Sequence, residues 1–349
     1  MKRILVVDDS AFARKLIKDI LNDSGELEVV DTAFNGQDAL AKLERLHPDA
    51  ITMDIEMPVM NGLETLARIM DLHPTPVVML SSLTGNNTSA SVAALELGAF
   101  DAITKPIASG LPQLKNIAAE IVEIVTAAAN VDARKLKPRL QRSNGYTPNP
   151  TVSRMSSVLP VVVIASSTGG PRALRTLIPR LSTDIAAFYL VVQHLPVGFT
   201  EAMARDLNNL TSLSVREAVE GDIPTANTML VAPAGKHCEF TRREKITLTT
   251  EPLLWGVRPA ADIAMSTAGS IFENRCVGVV LTGMGRDGAH GLGVIKSHGG
   301  RTLAEAESSC VIYGMPKVAI DSGAAQKAVD LDDMPNAIAE AISQVRSVE

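Results

Sequence analysis

The sequence predicts an α/β protein of two open-sheet domains in series, joined by an exposed linker. Three observations lead there. Short apolar runs alternate with amphipathic stretches over the first 106 residues, the alternation breaks down between Val131 and Pro160, and it resumes at Val161. Strand–helix alternation calls for a parallel sheet covered by helices on both faces. A chain of 349 residues also suits two domains of ordinary size.

In the first half, ILVV (4–7) reads as a buried strand, and Phe12, Leu16, Ile17, Ile20 and Leu21 have helical spacing. VVDTA (29–33) is the second strand, with a helix at 36–46. AITMD (50–54) is the third, with a helix at 62–72. PVVML (76–80) and DAITK (101–105) are the fourth and fifth, with helices at 87–97 and 111–129. This is a (βα)5 unit, expected over 1–125.

The next segment carries Pro138, Pro148, Pro150 and Pro160, the turn pair Asn144-Gly145, and six basic residues against the single acid Asp132. Such a stretch reads as a solvated, semi-flexible linker, expected over 126–158. From there to 349 a second, doubly wound α/β domain is expected. VVVIAS (161–166) and AFYLVVQ (187–193) are strands, followed by helices at 171–181 and 200–207. The middle, 213–256, is β-rich, with TMLVAP, HCEFT and KITLT as short strands. CVGVVLT (276–282) and RTLAEA (301–306) are strands, and helices fall at 288–297 and 335–345.

Composition narrows the function. A net charge of -6 and 3% aromatic residues argue against a nucleic-acid coat, which needs clustered cations and stacking rings. Three cysteines, none in a C-x-x-C pair, make a disulfide framework or zinc site a poor reading and suggest a reducing cytoplasm. The apolar run after Lys2-Arg3 ends at Asp8-Asp9, far short of a signal sequence, and no apolar run reaches the roughly 18 residues of a membrane span.

Asp8 and Asp9 close the first strand, Asp54 the third, Ser81 the fourth and Lys105 the fifth. In an open parallel sheet these ends meet at one edge. Crowded carboxylates need a cation, and hard oxygen ligands suit Mg2+. With a hydroxyl and a lysine nearby, one carboxylate could accept a phosphoryl group. The segments VVDDS, MDIEMPVMNG, MLSS and GAFDAITKP resemble the receiver domain of two-component response regulators. The resemblance implies Asp54 as the phosphorylated residue, Mg2+ held by Asp8, Asp9, Asp54 and the Glu56 carbonyl, and Ser81 and Lys105 as sensors of the phosphoryl group. It also implies a cis Lys105-Pro106 bond and a histidine kinase as phosphodonor. Many receivers carry an aromatic switch residue where this chain has Ala102, so signalling by a ring flip is not expected.

In the second half, VVVIASSTGGP runs a buried strand into a Ser/Gly turn, with Pro171 suited to the first turn of a helix. A helix N-terminus there would stabilise an anion: a phosphate, or an oxyanion beside a serine nucleophile. His194 follows the next strand and Asp287 follows CVGVVLT, so a serine, a base and an orienting acid each close a strand. Ser166, Ser167 and Thr168 could also merely cap the helix. GMGRDG, with Glu305 and Glu307 roughly 20 residues on, also fits a dinucleotide fingerprint on spacing alone and is a competing reading.

The six segments IASSTGGP, QHLPVGFT, VAPAGKHCEF, VRPAADIAM, LTGMGRDGAHG and AEAESSCVIYGMP together resemble the catalytic domain of the chemotaxis protein-glutamate methylesterases. The resemblance implies that Ser167 attacks a receptor glutamate methyl ester, His194 is the base and Asp287 orients it. It implies an oxyanion hole that includes the Met284 N–H, with Thr168 and Arg258 near the site and no cofactor for the esterase. Glutamine deamidation is a second implied activity. Where the family pattern reads Gly-Ala-Ser-Thr-Gly-Gly, this chain has Ala165-Ser166-Ser167-Thr168-Gly169-Gly170, leaving Ser166 as a second candidate nucleophile. His237 and His290 are expected to be structural or peripheral. The implied substrates are cytoplasmic helices of methylated chemoreceptors, with neither nucleic acid nor membrane insertion involved. The two-domain layout suggests that the unphosphorylated receiver restricts access to Ser167.

Overall fold

The computed structural model describes residues 1–81, 85–105, 111–132, 136 and 159–346. The chain divides into two compact units, Met1–Pro138 and Arg139–Glu349.

The first unit has the expected alternation: β1 (Lys2–Val7), α1 (Ala11–Asp23), β2 (Leu27–Ala33), α2 (Gly36–Leu46), β3 (Ala50–Asp54), α3 (Gly62–Leu72), β4 (Val77–Ser81), α4 (Gly85–Leu97), β5 (Asp101–Thr104) and α5 (Leu111–Asn130). The strands form a parallel sheet in the order β2-β1-β3-β4-β5. Strand order reverses between β1 and β3, which opens a crevice at their C-terminal ends. Asn35 and Asn61 cap α2 and α3 by accepting the Asp38 and Glu64 N–H groups.

Two details depart from the periodicity. In α1 the buried residues are Ala13, Ile17 and Leu21, a straight i, i+4 row, and Phe12 lies outside it, 66% exposed. At the other end, α5 runs to Asn130, five residues into the segment expected as linker, because Val125, Ala128 and Ala129 are buried. Most of the linker segment and the Lys105-Pro106 bond lie outside the described residues. Among those described, the one cis peptide is Arg258-Pro259.

The second unit runs β6 (Val161–Ser166), α6 (Gly170–Leu177), β7 (Phe188–Gln193), α7 (Phe199–Asn208), β8 (Ser214–Glu217), β9 (Thr228–Val231), β10 (His237–Phe240), β11 (Ile246–Thr249), α8 (Ala261–Phe272), β12 (Cys276–Val280), α9 (Ala289–Ser297), β13 (Arg301–Glu305), α10 (Met315–Asp321), β14 (Lys327–Val329) and α11 (Met334–Arg346). Seven parallel strands lie in the order β14-β13-β12-β6-β7-β9-β8. From β6 the chain moves to β7 on one side and later to β12 on the other, so the switch point flanks β6.

Every residue of β6 is buried. Val162 and Ile164 enter one apolar cluster, and Val161, Val163 and Ala165 the other, as a strand with helices on both faces requires.

The β-rich middle is only partly separate. β8 and β9 extend the main sheet, and β10 and β11 form an antiparallel pair of their own. The sequence reading has no helix at α8. Its ADIAMSTAGSIF is dominated by small residues, and seven of its twelve positions are buried. A Cβ at Gly269 would lie 3.0 Å from the Ile295 backbone, so α8 and α9 pack too closely for a clean amphipathic stripe. Among the described residues no helix is long and apolar enough to cross a membrane.

Candidate active site

In the first unit, Asp8 and Asp54 are buried and Asp9 is exposed at the crevice edge. One oxygen from each of Asp8, Asp9 and Asp54 lies within 4.8 Å of the others, a donor set that fits a hard divalent cation. Lys105 Nζ is 2.6 Å from Asp54 Oδ2 and 2.8 Å from Asp8 Oδ2. Burial raises the Asp54 carboxyl above its ordinary range despite the hydrogen bond and charge of Lys105. Burial works to lower Lys105, but its bonds and charge contacts with Asp54 and Asp8 outweigh that and hold it above its ordinary value. Ser81 is buried at the end of β4, and its carbonyl accepts the Lys105 N–H at 2.8 Å.

Glu56 is exposed on the loop after β3, beside an open cavity of about 530 Å³ that Asp9, Glu56 and Asn61 help to line. Arg14 was not singled out by sequence. Its Nη1 donates to the carbonyls of Asp8 and Asp9 at 2.7 and 3.0 Å and so fixes the acidic turn. Gly62 is required by contact: a Cβ there would meet the Asp54 carbonyl oxygen at 2.1 Å. Gly62→Ala is expected to destabilise this unit by about 1–3 kcal/mol, read as a lower urea midpoint.

In the second unit the structure separates the two serines. Ser166 is buried, and its hydroxyl donates to Gln193 Oε1 at 2.6 Å. Ser167 is half-buried, and among the described residues its hydroxyl has no hydrogen-bond partner. Its backbone is pinned, with N–H donating to Thr282 O at 3.0 Å and its carbonyl accepting Gly170 N–H at 2.7 Å and Gln193 Nε2 at 2.9 Å.

His194 and Asp287 meet. His194 Nε2 is 2.8 Å from Asp287 Oδ2, both side chains being largely buried. That leaves Nδ1 as the ring nitrogen available to a serine. No hydrogen bond joins Ser167 to His194; such bonds often tighten only with substrate in place. Asp287 Oδ2 also accepts the Ala261 N–H at 2.6 Å, and Oδ1 accepts the Asp262 and Gly288 N–H groups at 2.9 and 3.0 Å. The acid is therefore seated at the N-terminus of α8, where backbone donors favour a negative charge. Asp262 secures that terminus by accepting Trp255 Nε1 and Gly291 N–H, each at 2.8 Å.

Gly283 O accepts the Gly314 and Met315 N–H groups at 3.2 and 2.8 Å. A trans peptide then points the Met284 N–H the opposite way. That N–H has no acceptor among the described residues. A Cβ on Gly283 would sit 2.8 Å from Ser167 Cβ, so this segment lies directly against the serine. Thr168 is buried, and its carbonyl accepts Thr282 Oγ1 at 3.0 Å. Arg258 Nη1 donates to the carbonyls of Thr250 and Glu251, each at 2.9 Å.

His237 is buried with both ring nitrogens engaged, by Pro252 O and the Ala260 N–H, and His290 is exposed. The dinucleotide reading of GMGRDG is not favoured: the Asp287 carboxylate, inside that motif, takes the Gly288 N–H of its own turn together with the Ala261 and Asp262 N–H groups of α8. Glu305 is fully buried, accepting Thr282 N–H at 2.8 Å. Gln193 and Thr282 look in the sequence like ordinary strand ends, and the α8 N-terminus belongs to a helix that the periodicity does not show.

Comparison with known proteins agrees with this layout. The CheB methylesterase family model matches residues 162–338, and the response regulator receiver domain model matches 4–119. A protein of Pyrococcus horikoshii named protein-glutamate methylesterase/protein-glutamine glutaminase is 43% identical over 99% of this chain and 94% of its own. A protein of the same name from Bacillus subtilis is 38% identical over 99% of this chain and 100% of its own. The solved catalytic domain of the Thermotoga maritima CheB methylesterase is 36% identical, with a TM-score of 0.51, over 52% of this chain and 98% of that one. A matched enzyme model over half the chain, and relatives of this identity along nearly all of it, place the chain in the CheB methylesterase family, with a response regulator receiver domain ahead of the enzyme domain.

Proposed function

We propose that the chain is a phosphorylation-activated serine hydrolase that removes methyl groups from glutamate methyl esters on chemoreceptor helices, releases methanol, and deamidates specific receptor glutamines, in sensory adaptation. The observation that carries this reading is the His194–Asp287 contact on the loop next to Ser167, whose hydroxyl has no partner among the described residues. Ser167 Oγ attacks the ester carbonyl as His194 Nδ1 takes its proton. The Met284 N–H donates to the oxyanion, a contact of a kind that typically contributes about 10²–10³ in rate. Collapse breaks the ester C–O bond, and the proton on His194 leaves with methanol. Water, deprotonated by His194, then hydrolyses the acyl-serine. Asp287 holds the imidazole in the tautomer with Nε2–H throughout. Thr168 lines the site, and no cofactor takes part. A glutamine follows the same course with ammonia as leaving group.

Functionally we divide the chain into a receiver at 1–125, a linker at 126–158 and the esterase at 159–349. Asp54 is the phosphoryl acceptor and a histidine kinase the donor. Asp8, Asp9, Asp54 and the Glu56 carbonyl would hold Mg2+, which would offset the phosphoryl charge. Ser81 and Lys105 sense the modification, and Ala102 has no ring to turn. The setting is cytoplasmic.

The test is methanol release from methylated receptor membranes, with and without Mg2+ and a small phosphodonor. A tenfold rise is expected, equivalent to about 1.4 kcal/mol of barrier. Asp54→Ala or a chelator is expected to abolish that rise and leave the basal rate. A rise that survives Asp54→Ala would sink the regulatory half of the reading.

A further inference from the structure

We propose that the Gln193 carboxamide is a positioning residue for the esterase, tying the serine loop to the histidine loop, and that Ser166 holds that amide in place. The inference rests on the serine hydrolase reading above. β6 and β7 are neighbours, and Ser166 and Gln193 are the last register partners along them. The final backbone rung is His194 N–H to Ser166 O at 3.1 Å. Beyond it the two chains leave the sheet as Ser167 and His194, and no backbone bond between these two residues sets their separation.

One buried amide does so instead. Gln193 Nε2 donates to Ser167 O and to His194 O, each at 2.9 Å. Its Oε1 accepts the Ser166 hydroxyl at 2.6 Å. Two carbonyls on one side and a hydroxyl on the other fix which way the amide faces, because the reverse setting would press Oε1 against two carbonyl oxygens. Ser166 and Gln193 are both essentially inaccessible, so water does not compete for these bonds. Gly170 allows the arrangement, since a Cβ there would lie 2.0 Å from Oε1. The chain has a hydroxyl at 166 where the family pattern has alanine, and that hydroxyl is committed to the amide rather than to substrate.

Gln193→Met keeps the length of the side chain and removes both donors. It is expected to lower kcat, and the rate at which a serine-directed reagent acylates Ser167, by about tenfold or more, as misplacements near 1 Å do. KM for receptor membranes and the pH midpoint of acylation should hold, because the His194–Asp287 pair is untouched. Ser166→Ala should give a smaller loss of the same kind, and the double variant should be no slower than Gln193→Met alone. Folded Gln193→Met acylating at the wild-type rate would overturn the proposal, as would losses that multiply as independent effects. Should Gln193→Met not fold, Ser166→Ala acylating at the wild-type rate would do the same. Failure of the underlying reading shows differently, as acylation and methanol release that Ser167→Ala does not slow.

Discussion

Ser167→Ala is expected to lower methanol release by on the order of 10⁶, the scale seen when a triad serine is removed from a serine hydrolase. Ser166→Ala should leave an enzyme slowed only through Gln193. The sequence offers two adjacent serines, and the structure gives them different surroundings. The Ser166 hydroxyl is buried and bonded to Gln193 Oε1, so it has neither access to an ester nor a base beside it. Among the described residues the Ser167 hydroxyl has no partner, and its backbone is held by Thr282, Gly170 and Gln193. The measurement is methanol release from both variants, with mass-spectrometric mapping of the serine that a serine-directed reagent modifies. Modification at 166, or a dead Ser166→Ala beside an active Ser167→Ala, would invert the assignment.

Legibility differs between the fold and the site for a physical reason. The central strands were plain because both faces are covered, which turns β3, β6 and β7 into continuous apolar runs. α8 was not, because a helix packed against α9 and the β10–β11 pair needs small residues on several sides and loses its stripe. β8 was missed for the opposite reason: SVRE is a sheet-edge strand with only Val215 buried. Within the sites, residues that close strands could be placed at one edge from order alone. The supports of those residues could not. Arg14, Thr282 and Gln193 act through side-chain hydrogen bonds to backbone carbonyls or N–H groups, and no spacing announces such bonds. GMGRDG shows the same limit. Its spacing fits a dinucleotide loop, and only the seating of the Asp287 carboxylate on N–H groups distinguishes the two.

Asp287→Asn is expected to lower kcat by about 10⁴ with KM within a few-fold, as an amide in place of a triad carboxylate does. The argument is one of donors. Asp287 accepts hydrogen bonds from Ala261, Asp262 and Gly288 and faces His194 Nε2, so every neighbour of its two oxygens is an N–H. An asparagine has one acceptor oxygen. With its nitrogen at the Oδ2 position, the imidazole must present a bare Nε2 and carry its proton on Nδ1, where it can no longer receive the proton of Ser167. Turned over, the nitrogen opposes the Asp262 and Gly288 N–H groups, and each buried donor left unsatisfied costs about 1–3 kcal/mol. The first setting loses the base and leaves one α8 donor, the Ala261 N–H, unsatisfied; the second keeps the tautomer and leaves two N–H groups, those of Asp262 and Gly288, unsatisfied. Steady-state kinetics with a phosphodonor, beside a melting curve, separate the two. A modest drop in melting temperature with kcat collapsed marks the first, and a larger drop with a smaller loss of kcat marks the second. A kcat within tenfold of wild type would mean that His194 takes its orientation from something other than Asp287.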